Sequence, residues 1–216
     1  IRDQRQARRP FFAVCAFPGP HSPWMIPDEF GDRYDPGEIE MWPNRDDSFS
    51  CKPLNQKKLR LLQMTPGSIS HLPGGDDELR ERLACCFTYM ELIDGLVGDV
   101  VAELKEAGLY ETTTIVITAD HGDMAGAHGF ISKGAYMYDE IYRIPLLIKP
   151  AGTSSSRRID APVHLMDLTA SIMDWLGAGT GPGMATHALQ GHSLQALLDG
   201  TGEWHRHLHY GEYHGD

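Results

Sequence analysis

Residues 115–133 read IVITADHGDMAGAHGFISK. An apolar run rich in β-branched residues stops at Asp120-His121-Gly122, and Lys133 follows one glycine-rich loop later. The run predicts a strand over 112–119, buried on both faces by its composition. A strand end of this kind holds two neighbouring side chains on a fixed backbone. Asp120 offers an anionic oxygen and His121 a neutral nitrogen, a donor pair suited to a hard or borderline divalent metal. Gly122 lets the chain turn away without a side chain crowding the ion. Lys133 would then place a cation on an anionic substrate held at that metal.

The segment before this strand has a different period. Asp76-Asp77-Glu78 supplies an acidic first turn, and Leu79, Leu83, Phe87, Met90, Ile93, Val97, Val101 and Leu104 recur every three or four residues. The spacing predicts one long amphipathic helix over 76–107, ended by Gly108. Gly95 and Gly98 inside it predict close packing on another element. Further strands are predicted at 11–17 and 144–148, and helices at 54–64, 164–176 and 193–198. Residues 24–75, rich in Pro, Gly, Asp and Asn, read as a long loop excursion, which in a compact domain is usually functional. Residues 177–191 read as a flexible loop opening a C-terminal tail region over 177–216. Strands alternating with helices imply an α/β layered sheet.

Bulk properties narrow the function. The chain has 216 residues, 41% of them hydrophobic, and a formal net charge of −11. Its acidity argues against nucleic acid or an anionic membrane as the main partner. No apolar run approaches the ~20 residues of a membrane helix. Cys15, Cys51, Cys85 and Cys86 form no C-x-x-C pair, so reduced thiols are expected. The chain starts at Ile1 in a basic polar run without a signal-peptide pattern. Neither end carries a clear start or stop signal, which predicts a fragment.

At this point the chain resembles the type I sulfatases of the alkaline phosphatase superfamily. The likeness is carried by the strand, Asp-His-Gly, glycine-histidine loop and Lys of Ile115 to Lys133. It continues in the Tyr-x-x-x-x-Arg-x-Pro pattern of Tyr138 to Pro145. It includes the His-x-Pro segment at His21, followed by Pro27, Phe30, Tyr34 and Pro43-Asn44, and the helix segment Tyr89 to Gly98. Leu165 to Ala170 and Gly191 to Leu194 extend it, so it covers about Phe11 to Leu198. The resemblance implies a layered αβα fold with a central mixed, largely parallel sheet, incomplete at the N-terminus, with 1–216 the C-terminal portion of one catalytic domain. It implies Asp120 and His121 as metal ligands, with calcium first and manganese or magnesium as alternatives. It implies Lys133 and His21 as substrate-binding and catalytic residues, since an imidazole titrates where proton transfer is useful near neutrality. The substrate implied is a small-molecule or carbohydrate sulfate ester.

The family's nucleophile is a Cys or Ser in C-x-P-x-R, oxidised to formylglycine. Cys51-Lys52-Pro53-Leu54-Asn55 has Asn55 in place of the arginine and follows His21 instead of preceding it, so Cys51 reads as structural. The formylglycine is therefore expected upstream of Ile1. Two rival readings stand beside the sulfatase: a phosphonate monoester or phosphodiester hydrolase of the same superfamily, and an inert truncated α/β module. His205, His207 and His209 alternate and His214 follows. A solvated or interdomain segment outweighs a metal site there.

Overall fold

A computed structural model describes residues 9–31, 33–68, 71, 74–134, 136–178, 190–202, 204 and 211. The tail histidines His205, His207, His209 and His214, and residues 179–189 of the predicted flexible loop, lie outside them. The chain divides into two compact units, Ile1–Ala151 and Gly152–Asp216.

The first unit contains α1 (Leu54–Gln63), α2 (Gly75–Glu106), β1 (Ile115–Thr118), α3 (Asp139–Tyr142) and β2 (Leu146–Lys149). α2 forms where the periodic apolar residues predict it. Asp76, Asp77 and Glu78 occupy its first turn and Lys105 its last, each favourable to the helix dipole. Gly108, at φ 68°, takes the chain off the helix. Leu79, Leu83, Ala84 and Cys86 are buried in its N-terminal half. Full burial of a leucine contributes about 1.5–3 kcal/mol, so Leu79 and Leu83 are strong anchors. Further along, Met90 and Leu96 are exposed. Gly95 and Gly98 face open space, so the close packing predicted from them is absent among the described residues.

Two apolar clusters knit the 24–75 excursion to the loop after β1. Phe49 packs with Met124, Ala127, Phe130, Tyr136 and Ile141. Trp24 packs with Leu79, Leu83, Cys86 and Ile131. The excursion holds α1 as predicted and 3-10 turns at Asp28–Phe30 and Pro36–Glu38.

The sheet differs from the expectation. Among the described residues it has two strands, paired antiparallel with Ile115 opposite Lys149 and Thr118 opposite Leu146. A parallel crossover needs a dozen or more residues, usually built around a helix. Here the four-residue α3 is the α-helix between the strands, and the chain folds back antiparallel. β1 is also not buried on both faces, for Ile117 and Thr118 are exposed. Its composition suits a central strand, but a two-stranded ribbon leaves its faces open. Residues 11–17 run without strand pairing, and Phe12 and Val14 are exposed. An apolar run becomes a strand when a ladder partner is present, and none is among the described residues.

The second unit contains α4 (Leu165–Trp175) and α5 (Gln195–Asp199), near the predicted positions. Fully buried Asp167 organises it. One carboxylate oxygen accepts from the N–H of His164 at 2.7 Å and the other from that of His192 at 2.8 Å. Buried Ser171 accepts from Leu194 N at 2.8 Å, so residues 192–194 are tied to α4. No helix among the described residues is long and apolar enough to cross a membrane.

Candidate active site

β1 delivers Asp120 and His121 two and three residues past its last ladder position, Thr118. Thr118 Oγ1 donates to Pro145 O at 2.9 Å and fixes the end of the ribbon. The His121 N–H donates to Asp120 Oδ1 at 2.9 Å. His121 Nδ1 lies 2.9 Å from Gly122 O, a contact that assigns the ring proton to Nδ1 and leaves Nε2 with a lone pair. That Nε2 lies 3.6 Å from Asp120 Oδ2.

Gly122 is fixed by close approach. Its N–H donates to Ile141 O at 2.8 Å, and a Cβ here would sit 1.9 Å from Glu140 O. Asp123 then shapes the loop: Oδ1 accepts from Ala125 N at 2.8 Å and from Ser132 N at 3.0 Å. Met124 N to Ser132 O, 3.1 Å, and Gly126 N to Phe130 O, 2.8 Å, close it from inside. From α1, the Gln63 amide brackets Ile131, accepting from its N–H at 2.9 Å and donating to its carbonyl at 3.1 Å. The loop so held presents Lys133.

Lys133 Nζ lies 2.6 Å from His21 Nε2, across 112 positions of sequence. His21 Nδ1 lies 2.6 Å from Ser22 O, so Nδ1 carries the proton and Nε2 accepts from the lysine. The His21 and His121 rings stand edge to face at 6.3 Å between centroids. His21, His121, Asp120 and Lys133 are therefore brought to one place. The site is open: the Asp120 side chain is 85% exposed and that of His121 33%.

The divalent-metal expectation can be set against this geometry. A separation of 3.6 Å between Nε2 and Oδ2 suits two ligands of one ion at metal–ligand distances of about 2.0–2.6 Å. The backbone carbonyl on Nδ1 is the kind of partner that orients a ligating histidine. The pair fits a divalent ion as two of its ligands. No group of three or more His, Cys, Asp or Glu among the described residues could hold one.

Beside the loop lies a second polar cluster. His128, at φ 51°, sets Nδ1 2.7 Å from Asp47 Oδ2 and stacks on Tyr138 with 4.2 Å between centroids. Asn44 donates to Glu140 Oε1 at 2.8 Å, and Lys52 Nζ sits 3.4 Å from Asp47. The N–H of Phe49, then His128, then Lys52 hold the Asp47 carboxyl below its ordinary value of 3.8, against an opposing effect of burial. A depressed carboxylate adds stability above the unfolded value, and that stability is lost as pH falls through the folded value. Asp47→Asn is thus expected to lower the thermal midpoint at pH 7, with the gap to the parent closing below pH 3.8. Circular dichroism melts between pH 7 and 2 measure this, and a gap that persists at the acid end rejects the ionic role.

The family model described as Sulfatase matches residues 1–178. The chain belongs to the sulfatase family. The expected resemblance holds at that level. This sulfatase chain is 34% identical over 174 residues to "Uncharacterized sulfatase YidJ" of Escherichia coli (strain K12), covering 80% of the chain and 33% of that protein. It is 29% identical over 216 residues to "Multifunctional alkaline phosphatase superfamily protein PehA" of Trinickia caryophylli, covering 94% and 40%. Among solved structures, the phosphonate monoester hydrolase SpPMH from Silicibacter pomeroyi superposes with a TM-score of 0.71 at 29% identity. That match covers 86% of this chain and 37% of the other. The similarity agrees with an α/β fold. The chain spans roughly a third to two-fifths of the length of these relatives.

Sequence reasoning alone missed Asp123, Gln63, Asp47 and Glu140, and named Asn44 and the loop of His128 as parts of the family likeness without seeing that they meet. Asp123 had a local signal, because an Asp after a strand-end glycine commonly bonds the backbone two residues on. Gln63 had none, since its partner is 68 positions away.

Proposed function

We propose that this chain supplies part of the metal and substrate site of a sulfuric ester hydrolase. The convergence of Asp120, His121, His21 and Lys133 carries the reading. In a sulfatase-length protein the surrounding fold would be the layered αβα domain with a central sheet of more strands, for which the open β1–β2 ribbon is one piece. Asp120 Oδ2 and His121 Nε2 would hold a divalent ion, calcium in first place with manganese or magnesium as alternatives. When bound, the ion supplies positive charge at the ester's oxygens and at a formylglycine contributed from outside this chain. Lys133 sets its ammonium against the same oxyanion. His21 works at Nε2, because Nδ1–H is committed to the Ser22 carbonyl. Nε2 is thus the atom that would hand a proton to the leaving oxygen, once the ring has taken one up there from solvent and Lys133 has turned to the oxyanion. The substrate class is a carbohydrate or small-molecule sulfate ester.

The structural likeness to a phosphonate monoester hydrolase favours a second reading, phosphonate monoester or phosphodiester hydrolysis at the same four side chains. An aryl sulfate, a phosphonate monoester and a phosphate diester offered to a sulfatase-length protein containing this chain separate the two. Sulfate turnover is expected to be fastest, to fall on chelation and to return with calcium or manganese. Faster phosphonate or diester turnover selects the second reading, and chelation-resistant activity rejects the metal assignment. The 216-residue chain alone is expected to be inert, and turnover by it would overturn the divided site.

A further inference from the structure

His21 enters the site on a turn of its own, Pro18-Gly19-Pro20-His21-Ser22-Pro23. Three contacts hold that turn. His21 N donates to Pro18 O at 3.3 Å. Trp24 Nε1 donates to Pro20 O at 2.7 Å. The Tyr89 ring of α2 presses on Gly19 so closely that a Cβ there would lie 2.4 Å from it. The first two contacts bear on one rigid unit. Pro20 O and His21 N belong to the same planar peptide, so anchoring both fixes that plane and with it the place of His21 Cα, from which the Nδ1 bond to Ser22 O sets the ring.

Trp24 also reaches the other loop. Its ring packs in one buried cluster with Leu79, Leu83, Cys86 and Ile131. Ile131 stands two residues before Lys133 and Trp24 three residues after His21. We infer that Trp24 is the positioning residue that sets His21 against Lys133, by gripping the Pro20–His21 peptide from the cluster that also seats the lysine loop. The inference rests on His21 and Lys133 acting together, as proposed above.

The test reads the His21 ring directly, by long-range proton–nitrogen correlation spectra of the chain labelled with nitrogen-15. In the parent, neutral His21 is expected to carry its proton on Nδ1, with Nε2 accepting from Lys133. Trp24→Phe keeps an aromatic ring in the cluster and deletes the N–H. It is expected to shift the ratio of neutral tautomers by about fivefold toward Nε2–H, the scale of one net hydrogen bond. Replacing Trp24 by 3-benzothienylalanine, which keeps the bicycle and lacks only the donor, is expected to do the same. Ile131→Val disturbs the cluster's packing and leaves the Pro20 bond, so it should lower the melting temperature without moving the tautomer ratio. An unchanged ratio in the benzothienyl chain overturns the inference, as does an equal shift in Ile131→Val. Unfolding of the benzothienyl chain also overturns it, since the Trp24 N–H would then be holding the fold as a whole and not the turn. The spectra report on His21 whether or not an ester is hydrolysed, so a failed substrate panel and a failed positioning role remain distinct results.

Discussion

Lys133→Ala, made in a sulfatase-length protein that contains this chain, is expected to lower turnover of an aryl sulfate by about 10²–10³-fold. Lys133 is exposed, and its hydrogen bond is to His21. Substitutions at such positions usually change stability by about 0.5 kcal/mol or less, so the melting temperature stays near that of the parent. On the proposed reading, what would be lost is an ammonium facing a charge that grows during ester cleavage, in a geometry already set by the closed 122–132 loop. His21→Ala removes the nitrogen proposed to transfer the proton and is expected to lower turnover by about 10²–10⁴-fold. The two side chains touch, so the double variant should lose less than the product of the single losses. Steady-state kinetics and melting curves on the three variants measure all of this. Near-normal turnover in either single variant rejects the role given to that residue.

Gly122→Ala should act through the fold. The added methyl would meet Glu140 O at 1.9 Å, Glu140 C at 3.0 Å and Ile141 Cα at 3.3 Å. All three are backbone atoms and cannot rotate away as a side-chain tip can. The turn after His121 must then part from α3, and the 2.8 Å bond from Gly122 N to Ile141 O goes with it. Overpacking and a lost buried hydrogen bond together cost about 3 kcal/mol. For a chain of this size that lowers the melting temperature by roughly 6–12 °C. Thermal unfolding followed by circular dichroism measures the shift. A drop of less than about 2 °C would show that the turn relaxes without leaving α3.

The site was more legible in the sequence than the sheet was. Asp120, His121 and Lys133 lie within 14 positions of one another, in a local pattern whose residue types already state a chemistry. α2 was legible for a related reason, since a helix's buried stripe is written in its own spacing. His21 needed a family resemblance, because nothing in its neighbourhood points to a lysine 112 positions away. The sheet failed for want of context. Ile115 to Thr118 has the composition of a central strand, but burial on two faces depends on neighbours that the strand does not encode. Phe11 to Phe17 shows the same thing in stronger form: apolar residues without a ladder partner among those described remain unpaired and, from Phe12 to Ala16, exposed. The mixed, largely parallel sheet implied by the family resemblance is represented among the described residues by one antiparallel pair, and the segment between β1 and β2 lacks a helix long enough for a crossover.

The grip of Gln63 on both backbone groups of Ile131 makes the loop that presents Lys133 sensitive to helical phase in a distant segment. Gln63 is the last residue of α1, so its bearing depends on how many residues precede it within the helix. Removing one residue between Leu54 and Gln63 would swing the amide about 100° around the axis and release Ile131, two residues from the lysine. Lengthening the chain ahead of Pro53 leaves that bearing untouched. Within its helix the excursion is thus rotationally indexed, while the segment ahead of it is held by its own contacts through Trp24, Asn44, Asp47 and Phe49.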